Sequence, residues 1–330
     1  MDTLLPLLFF IIMGASVLAY SILDGYDLGI GMLLPLGDEA EKDRMIASIG
    51  PFWDANETWI VLGVGTLLIA FPEAHGRILT ALYLPVTLML IGLIMRGVAF
   101  DFRVKVGPNK KQRWNRVFFA GSLLASTTQG WMVGAYVTGL QTGLLNTLFS
   151  ALIALLLPAF YIFLGSAWLM IKTEDALFDK AARWARRALL PVAAALLLVS
   201  AATSLVSTTI AARWFTLPNA IGLAPIPITC ALIFIALAWF FTRTPESIYR
   251  YSWLPFTGAA VIGLMAAIGV FYSVYPYVVI DELTIWETAS ATSSLKFVFV
   301  GVVITIPAII GYSIYVYRIF SGKATDLDYG

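Results

Sequence analysis

The chain has 330 residues, of which 60% are hydrophobic and 12% charged, with 21 Lys and Arg against 20 Asp and Glu; a soluble domain is about 45–50% apolar and about 25% charged. This is the composition of a membrane protein, and it excludes a water-soluble enzyme, a nucleic-acid binder and a disordered scaffold, which need charge or polar surface that the chain lacks. One cysteine, Cys230, excludes an intramolecular disulfide, a thiolate zinc site and an iron–sulfur cluster, and one histidine, His75, excludes a bis-histidine haem or dinuclear metal centre built from this chain alone.

A membrane-spanning helix needs about 20 mostly apolar residues. Nine stretches qualify in chain order: Leu4–Leu34, Phe52–Phe71, Ile78–Phe100, Val117–Leu140, Leu148–Ile171, Ala188–Ala212, Ile226–Phe241, Tyr251–Phe271 and Leu295–Phe320. Pro85, Pro158 and Pro307 lie inside expected spans, where neighbouring helices re-satisfy a kinked backbone. Met1-Asp2-Thr3 carries no positive charge, so the first helix reads as a retained span and not a cleaved signal. Connections of about sixteen residues near 101–116 and 172–187 read as basic inner loops, too short for a core of their own.

Cations set the orientation. With the N-terminus outside, the inner segments hold Lys42 and Arg44, then Arg103 to Arg116, then Lys172 to Arg187, then Arg243 and Arg250, and finally Arg318 and Lys323. Outer segments hold only Arg77, Arg213 and Lys296, and Arg96 falls within the third span. The expectation is therefore an all-α polytopic membrane protein with nine spans, N-out and C-in.

Ionisable groups in hydrocarbon cost about 2.5–3.5 kcal/mol each on insertion scales, so their distribution carries the most information. The last six spans have none in their cores, whereas the first three hold or border Asp24, Asp27, Asp54, Glu57, Arg96 and Asp101. The alternating direction of the helices brings all six toward the inner leaflet. Asp24 and Asp27 are i, i+3 and share a helix face, as do Asp54 and Glu57. Gly25 and Gly29 form a small-xxx-small pair that admits a second helix close to the backbone, and Asn56 adds a neutral hydrogen-bonding group. Two readings follow. The acids form a funnel that relays protons from the cytoplasm, with Asp54 and Glu57 at its mouth and Asp24 and Asp27 deeper; or Arg96 pairs with one or two aspartates simply to hold three helices together. Asp101 reads as an interfacial cap, His75 as an exposed loop residue, and Gln129 with Ser126, Thr127 and Thr128 as interhelical hydrogen bonding. The outer segment Asp281–Glu287 reads as a solvated loop.

Four motifs together resemble subunit II of the cytochrome bd family of quinol oxidases: Asp24-Gly25-Tyr26-Asp27-Leu28-Gly29, Pro51-Phe52-Trp53-Asp54-Ala55-Asn56-Glu57, Arg96 through Asp101-Phe102-Arg103, and Leu283-Thr284-Ile285-Trp286-Glu287. The similarity runs along the whole chain, and around Tyr26 and Glu57 it is closer to the cyanide-insensitive branch. It implies two four-helix bundles plus a peripheral helix, divided as 1–140, 141–275 and 276–330 within one membrane domain. It implies a multi-pass protein of the bacterial cytoplasmic membrane. The expected partner is a larger subunit I that ligates the haems, of b type with or without d type, and binds ubiquinol or menaquinol; small single-helix subunits, lipid and quinone are further expected partners. This chain would ligate no haem or metal and would not be catalytic alone. By the same resemblance Trp53 and Asp54 match the entrance of the proton path, and Asp27 and Arg96 match positions that support assembly.

Read from the residues alone, a stand-alone proton-coupled secondary transporter stays open as a competitor. Against it stand the missing paired broken helices and the displacement of the charges from the midplane. A purely structural subunit, whose acids only pin helices, is the third reading.

Overall fold

The computed structural model describes residues 4–324. Met1–Thr3, read above as a retained N-terminus, and 325–330, the end of the expected inner tail, lie outside the described residues. Helix α1 (Leu4–Leu33) tightens into a 3-10 turn at Leu34–Leu36. It is followed by α2 (Glu39–Ile49), α3 (Trp53–Ala70), α4 (Pro72–Lys105), α5 (Pro108–Val137), α6 (Leu144–Lys172) and α7 (Asp175–Val206). Next come the short α8 (Thr208–Phe215) and α9 (Asn219–Leu223), then α10 (Pro225–Phe240), α11 (Pro245–Arg250) and α12 (Leu254–Val274). A small antiparallel hairpin, β1 (Tyr277–Val279) with β2 (Leu283–Thr284), leads into α13 (Thr292–Ile319).

Proline punctuates this order where a missing N–H costs nothing: Pro72, Pro108, Pro225, Pro245 and Pro255 all stand in the first two positions of their helices. Helix α2 starts on a capping box, in which Asp38 accepts from the Glu41 amide (2.9 Å) and Glu41 accepts from the Asp38 amide (2.8 Å).

Among the described residues, seven helices are long and apolar enough to cross a membrane: those of Leu4–Leu36, Pro72–Lys105, Leu144–Lys172, Asp175–Thr203, Asn219–Phe240, Leu254–Val274 and Thr292–Ile319. The other two expected spans are helical too, but α3 opens on Asp54, Asn56 and Glu57 and α5 carries Ser122 and Ser126 to Gln129, which dilutes their apolar character. The two expected basic loops are mostly helix. Helix α4 runs on to Lys105 and α5 starts at Pro108, while α6 ends at Lys172 and α7 starts at Asp175. At about 1.5 Å per residue a helix of 34 residues, such as α4, is about 51 Å long, so its charged turns extend past an apolar layer of about 30 Å. The longer α7 also makes Pro191 an interior proline. Similarly, His75 lies in the first turns of α4, half-buried, and not in a loop.

Packing follows the small residues. A side chain on Gly29 would strike the Tyr161 carbonyl at 1.8 Å, and one on Gly165 the Ile30 amide at 2.6 Å, so α1 and α6 cross backbone to backbone at the expected Gly25/Gly29 pair. Gly92 and Gly121 do the same for α4 against α5, and Gly130 and Gly134 for α5 against α6. Helices α1, α3, α4 and α5 thereby pack together, as do α6, α7, α10 and α12, while α13 leans on α1. One apolar cluster gathers at the end that carries α2, around Tyr26, Phe52, Trp168 and Phe240. The other lies at the end that carries the hairpin, around Phe9, Phe71, Ile78 and Ile280.

Candidate functional site

The glycine crossings leave the α2 end of α1 enclosed on all sides, and its two aspartates with it: Asp24 and Asp27 are fully buried. Arg96 reaches them from α4, itself 1% exposed. Its Nη1 donates to Asp24 and its Nη2 donates to Glu57 Oε2 at 2.8 Å. Glu57 comes from the first turns of α3 and keeps about a quarter of its side chain exposed (27%), so it links the buried pair to the surface. The Trp53 ring, 5.9 Å from the guanidinium carbon, flanks Arg96 and packs on Phe100 at 5.0 Å.

Asp27 takes a different partner. Asn56 Nδ2 donates to Asp27 Oδ2 (2.9 Å) and to the Tyr26 hydroxyl (2.8 Å). The i, i+3 relation places both aspartates on one face of α1, but α3 and α4 approach that face at different heights, so the guanidinium reaches Asp24 and the amide reaches Asp27.

A neutral chain leads away from Asp24. Tyr20, one turn earlier on α1, faces it. Gln129 Nε2 donates to the Tyr20 hydroxyl (2.7 Å) and the Tyr161 hydroxyl donates to Gln129 Oε1 (2.7 Å), so the expected interhelical role of Gln129 is seen, with α1 and α6 as its partners. Three buried atoms of the cluster, Asp24 Oδ2, Asp27 Oδ1 and Arg96 Nε, have no hydrogen-bond partner among the described residues.

The remaining predicted residues lie outside this core. Asp54 is exposed at the start of α3, on the approach to Glu57. Asp101 is exposed and, among the described residues, joins no ion pair, which corrects its grouping with a buried pair. Five residues along a helix is a rotation of about 140°, which turns Asp101 away from the face that carries Arg96. Seven residues bring the chain back to that face, and the residue found there is Arg103. It is 3% exposed, donating from Nε to Asn115 (2.6 Å) and from Nη2 to Asp43 (2.6 Å). Lys111 also donates to Asp43 (3.1 Å), and Lys180 donates to Glu41 (2.6 Å), so α2 is tied to α4, α5 and α7. Partial burial pushes the Asp43 carboxyl up, but the hydrogen bonds and charges of Arg103 and Lys111 outweigh it and hold the group below its ordinary range. The seven-residue spacing from Arg96 was the available sequence signal for Arg103.

At the hairpin end the loop expected to be solvated is partly ordered. Arg77 donates from Nε and Nη2 to the two carboxylate oxygens of Glu282, both at 2.8 Å, and the Tyr136 hydroxyl donates to the Val278 carbonyl (2.8 Å).

No group of three or more His, Cys, Asp or Glu able to hold a metal ion occurs among the described residues. The acids of the cluster are committed to Arg96 and Asn56.

The profile of the family described as cytochrome bd terminal oxidase subunit II matches residues 5–320. A cytochrome bd ubiquinol oxidase subunit 2 of Bacillus subtilis is 29% identical over 96% of this chain and 96% of its own length. A cytochrome bd-I ubiquinol oxidase subunit 2 of Escherichia coli is 30% identical over 41% of this chain and 36% of its own length. The structure of bd oxidase from Geobacillus thermodenitrificans contains a chain with the same fold, at a TM-score of 0.77 and 17% identity over 96% of this chain and 98% of that one. With its apolar helices, its buried arginine between carboxylates and a profile match spanning nearly its whole length, the chain belongs to the family of cytochrome bd terminal oxidase subunit II.

Proposed function

We propose that this chain is the second subunit of a bacterial quinol:oxygen oxidoreductase, which supports a larger subunit I and supplies it with protons from the cytoplasm. A protein of this family works in a complex that contains haem, and in this reading the haems, of b type with or without d type, are ligated by subunit I. In this reading the chain is one membrane domain with nine spans, N-out and C-in, in the bacterial cytoplasmic membrane. The packing of α1, α3, α4 and α5, the packing of α6, α7, α10 and α12, joined to the first group through α6, and the loose seat of α13 support two four-helix bundles and a peripheral helix, divided near residues 140 and 275. Quinol, as ubiquinol or menaquinol, binds to subunit I, and small accessory subunits and lipid complete the complex.

One observation carries the proton role: a single buried guanidinium faces three carboxyl groups, one of which reaches the surface. One positive charge balances one carboxylate, so the remaining acids exchange protons to stay near neutral in a low-dielectric site. Protons enter past Asp54 and Trp53 to Glu57 and pass by way of the Arg96-bridged pair to Asp24. Asn56 holds Asp27 beside that route. Reduction of dioxygen to water consumes protons, and drawing them from one side makes the reaction charge-separating. Asp27 and Arg96 also serve assembly, because three helices converge on them, whereas Asp101, which α4 outruns by four residues, is no cap of that helix. The transporter reading has no comparable support, since the relative matched along the full length is named as an oxidase subunit.

The test is Asp54→Asn in the assembled complex. Haem content stays as in the wild type and oxygen consumption slows several-fold; normal oxygen consumption removes Asp54 from the path.

A further inference from the structure

Helix α13 is the most exposed of the long helices. Only Leu295 and Val316 along it are buried. Its inner end is nevertheless tightly held. Buried Lys172, at the end of α6, donates to the carbonyls of Phe320 and Gly322 and lies over the rings of Phe52 (5.1 Å) and Trp168 (5.3 Å). The Ala324 amide donates back to the Lys172 carbonyl (2.8 Å), and Lys323 Nζ donates to the Thr173 carbonyl (2.9 Å). This strap seats Tyr317, whose ring stacks on Phe52 at 4.6 Å.

The Tyr317 hydroxyl closes a ring of three hydrogen bonds. It donates to Asn56 Oδ1 (3.0 Å), and a hydroxyl has one proton, so at the 2.8 Å contact between the two tyrosines Tyr26 is the donor and Tyr317 the acceptor. Asn56 Nδ2 has three acceptors within reach, the Tyr26 oxygen (2.8 Å), Asp27 Oδ2 (2.9 Å) and the Leu23 carbonyl (3.2 Å), and its two protons serve the nearer two best. The direction of every bond is thereby fixed. Asp27 depends on it, because its second oxygen, Oδ1, is buried with no partner among the described residues. The groups that face Asp27 are Asp24 on its own helix, Arg96 from α4, Glu57 and Asn56 from α3, Tyr26 beside it, and Tyr317 from α13.

We infer that Tyr317 is a positioning residue of the acid cluster: by donating to Asn56 Oδ1 it keeps the Asn56 amide turned so that its nitrogen, and not its oxygen, meets Asp27. This deepens the proton-path reading and depends on it for its functional meaning. Without the hydroxyl, Asn56 Oδ1 loses its donor and Tyr26 loses its acceptor. A flip of the amide then gives up the 3.2 Å contact with the Leu23 carbonyl, gives the Tyr26 proton a new acceptor and presents an oxygen to Asp27, which can pair with it only as a protonated, donating acid. Tyr317, with the Leu23 carbonyl on the nitrogen side, thus biases Asp27 toward receiving a hydrogen bond.

The experiment is infrared difference spectroscopy, variant against wild type, on the assembled oxidase complex at rest, with the Asp27 signal assigned by its shift in Asp27→Glu, which keeps the acid. In Tyr317→Phe, which keeps the stacked ring, the Asp27 signal becomes that of a hydrogen-bond-donating acid. In Tyr26→Phe, where Tyr317 still donates to Asn56, it stays as in the wild type. An unchanged signal in Tyr317→Phe overturns the inference, and so does an equal change in both variants, which would mean general loosening. Should Tyr317→Phe fail to assemble with haem, Phe52→Leu, which removes the ring stacked on Tyr317, takes its place: the same change supports the inference and no change overturns it. The measurement is made without turnover, so it stands apart from Asp54→Asn, which tests proton delivery by itself.

Discussion

Two arginines on one helix make opposite use of the same chemistry. Arg77 and Arg96 both belong to α4 and both reach carboxylates on other elements, yet the Arg77 side chain is 43% exposed and Arg96 is 1% exposed. The Arg77 pair with Glu282 has the better geometry, two parallel bonds of 2.8 Å, and its guanidinium holds the Glu282 carboxyl below the usual range. Water and salt screen it, and pairs of that kind contribute about 0.2–1 kcal/mol. The Arg96 group is less regular and matters far more, because removal of one member leaves an uncompensated charge in a dry site. Burial, not bond geometry, separates a hairpin tether from the cluster proposed to carry protons.

The sharpest way to break this contrast is Arg96→Leu, which strands Asp24 and is expected to cost about 3–5 kcal/mol. The yield of haem-loaded complex falls accordingly. Adding Asp24→Leu and Glu57→Leu removes the stranded charges and restores part of the yield while oxygen consumption stays low; recovery of both would deny the cluster a role in proton supply. Next is Gly29→Val. A Cβ there meets the Tyr161 carbonyl at 1.8 Å, so α1 and α6 must separate, at about 1–3 kcal/mol for overpacking or more. A lowered melting temperature of the complex is the readout, and an unchanged one would show that the crossing can relax.

A smaller effect concerns Asp43. Its carboxyl sits below the ordinary range in the folded chain, so its contribution is fully present above the unfolded aspartate value and is lost as pH falls through the lower folded value. Thermal stability measured against pH should drop on acidification below the ordinary aspartate range, and Asp43→Asn should flatten that part of the curve. The smallest is Arg77→Ala, expected to cost about 0.2–1 kcal/mol and less at high salt; a loss as large as that of Arg96→Leu would erase the distinction between the two pairs.

Parts of the candidate site were readable from spacing. The concentration of charge in the first three spans, the shared face of Asp24 and Asp27 and the close helix at Gly25 and Gly29 all rest on helical periodicity and insertion cost, which act locally. The partners were not readable. Arg96 meets Asp24 and Glu57 while Asp27 goes to Asn56, a choice set by the heights at which α3 and α4 pass α1. Asp101 was grouped with Arg96 by proximity along the chain, but the helix turns it outward and brings Arg103 onto that face. Tyr317 lies 291 residues from Tyr26, and no local pattern connects them. The stretches at 101–116 and 172–187 were read as loops because they are charged, although Lys, Arg and Ala are good helix formers and the helices simply outrun the apolar layer.

That this chain lives in a membrane, roughly where its long helices run and that its costly charges cluster near one end all follow from local pattern, because hydrophobicity and helical period are properties of neighbouring residues. Only the tertiary structure decided which carboxylate the guanidinium holds, which acid reaches the surface and how the last helix is pinned to the first. Those outcomes depend on how closely backbones cross at Gly29, Gly165, Gly92 and Gly121, and the side chains that meet are selected by distances of a few ångströms between helices far apart in the chain.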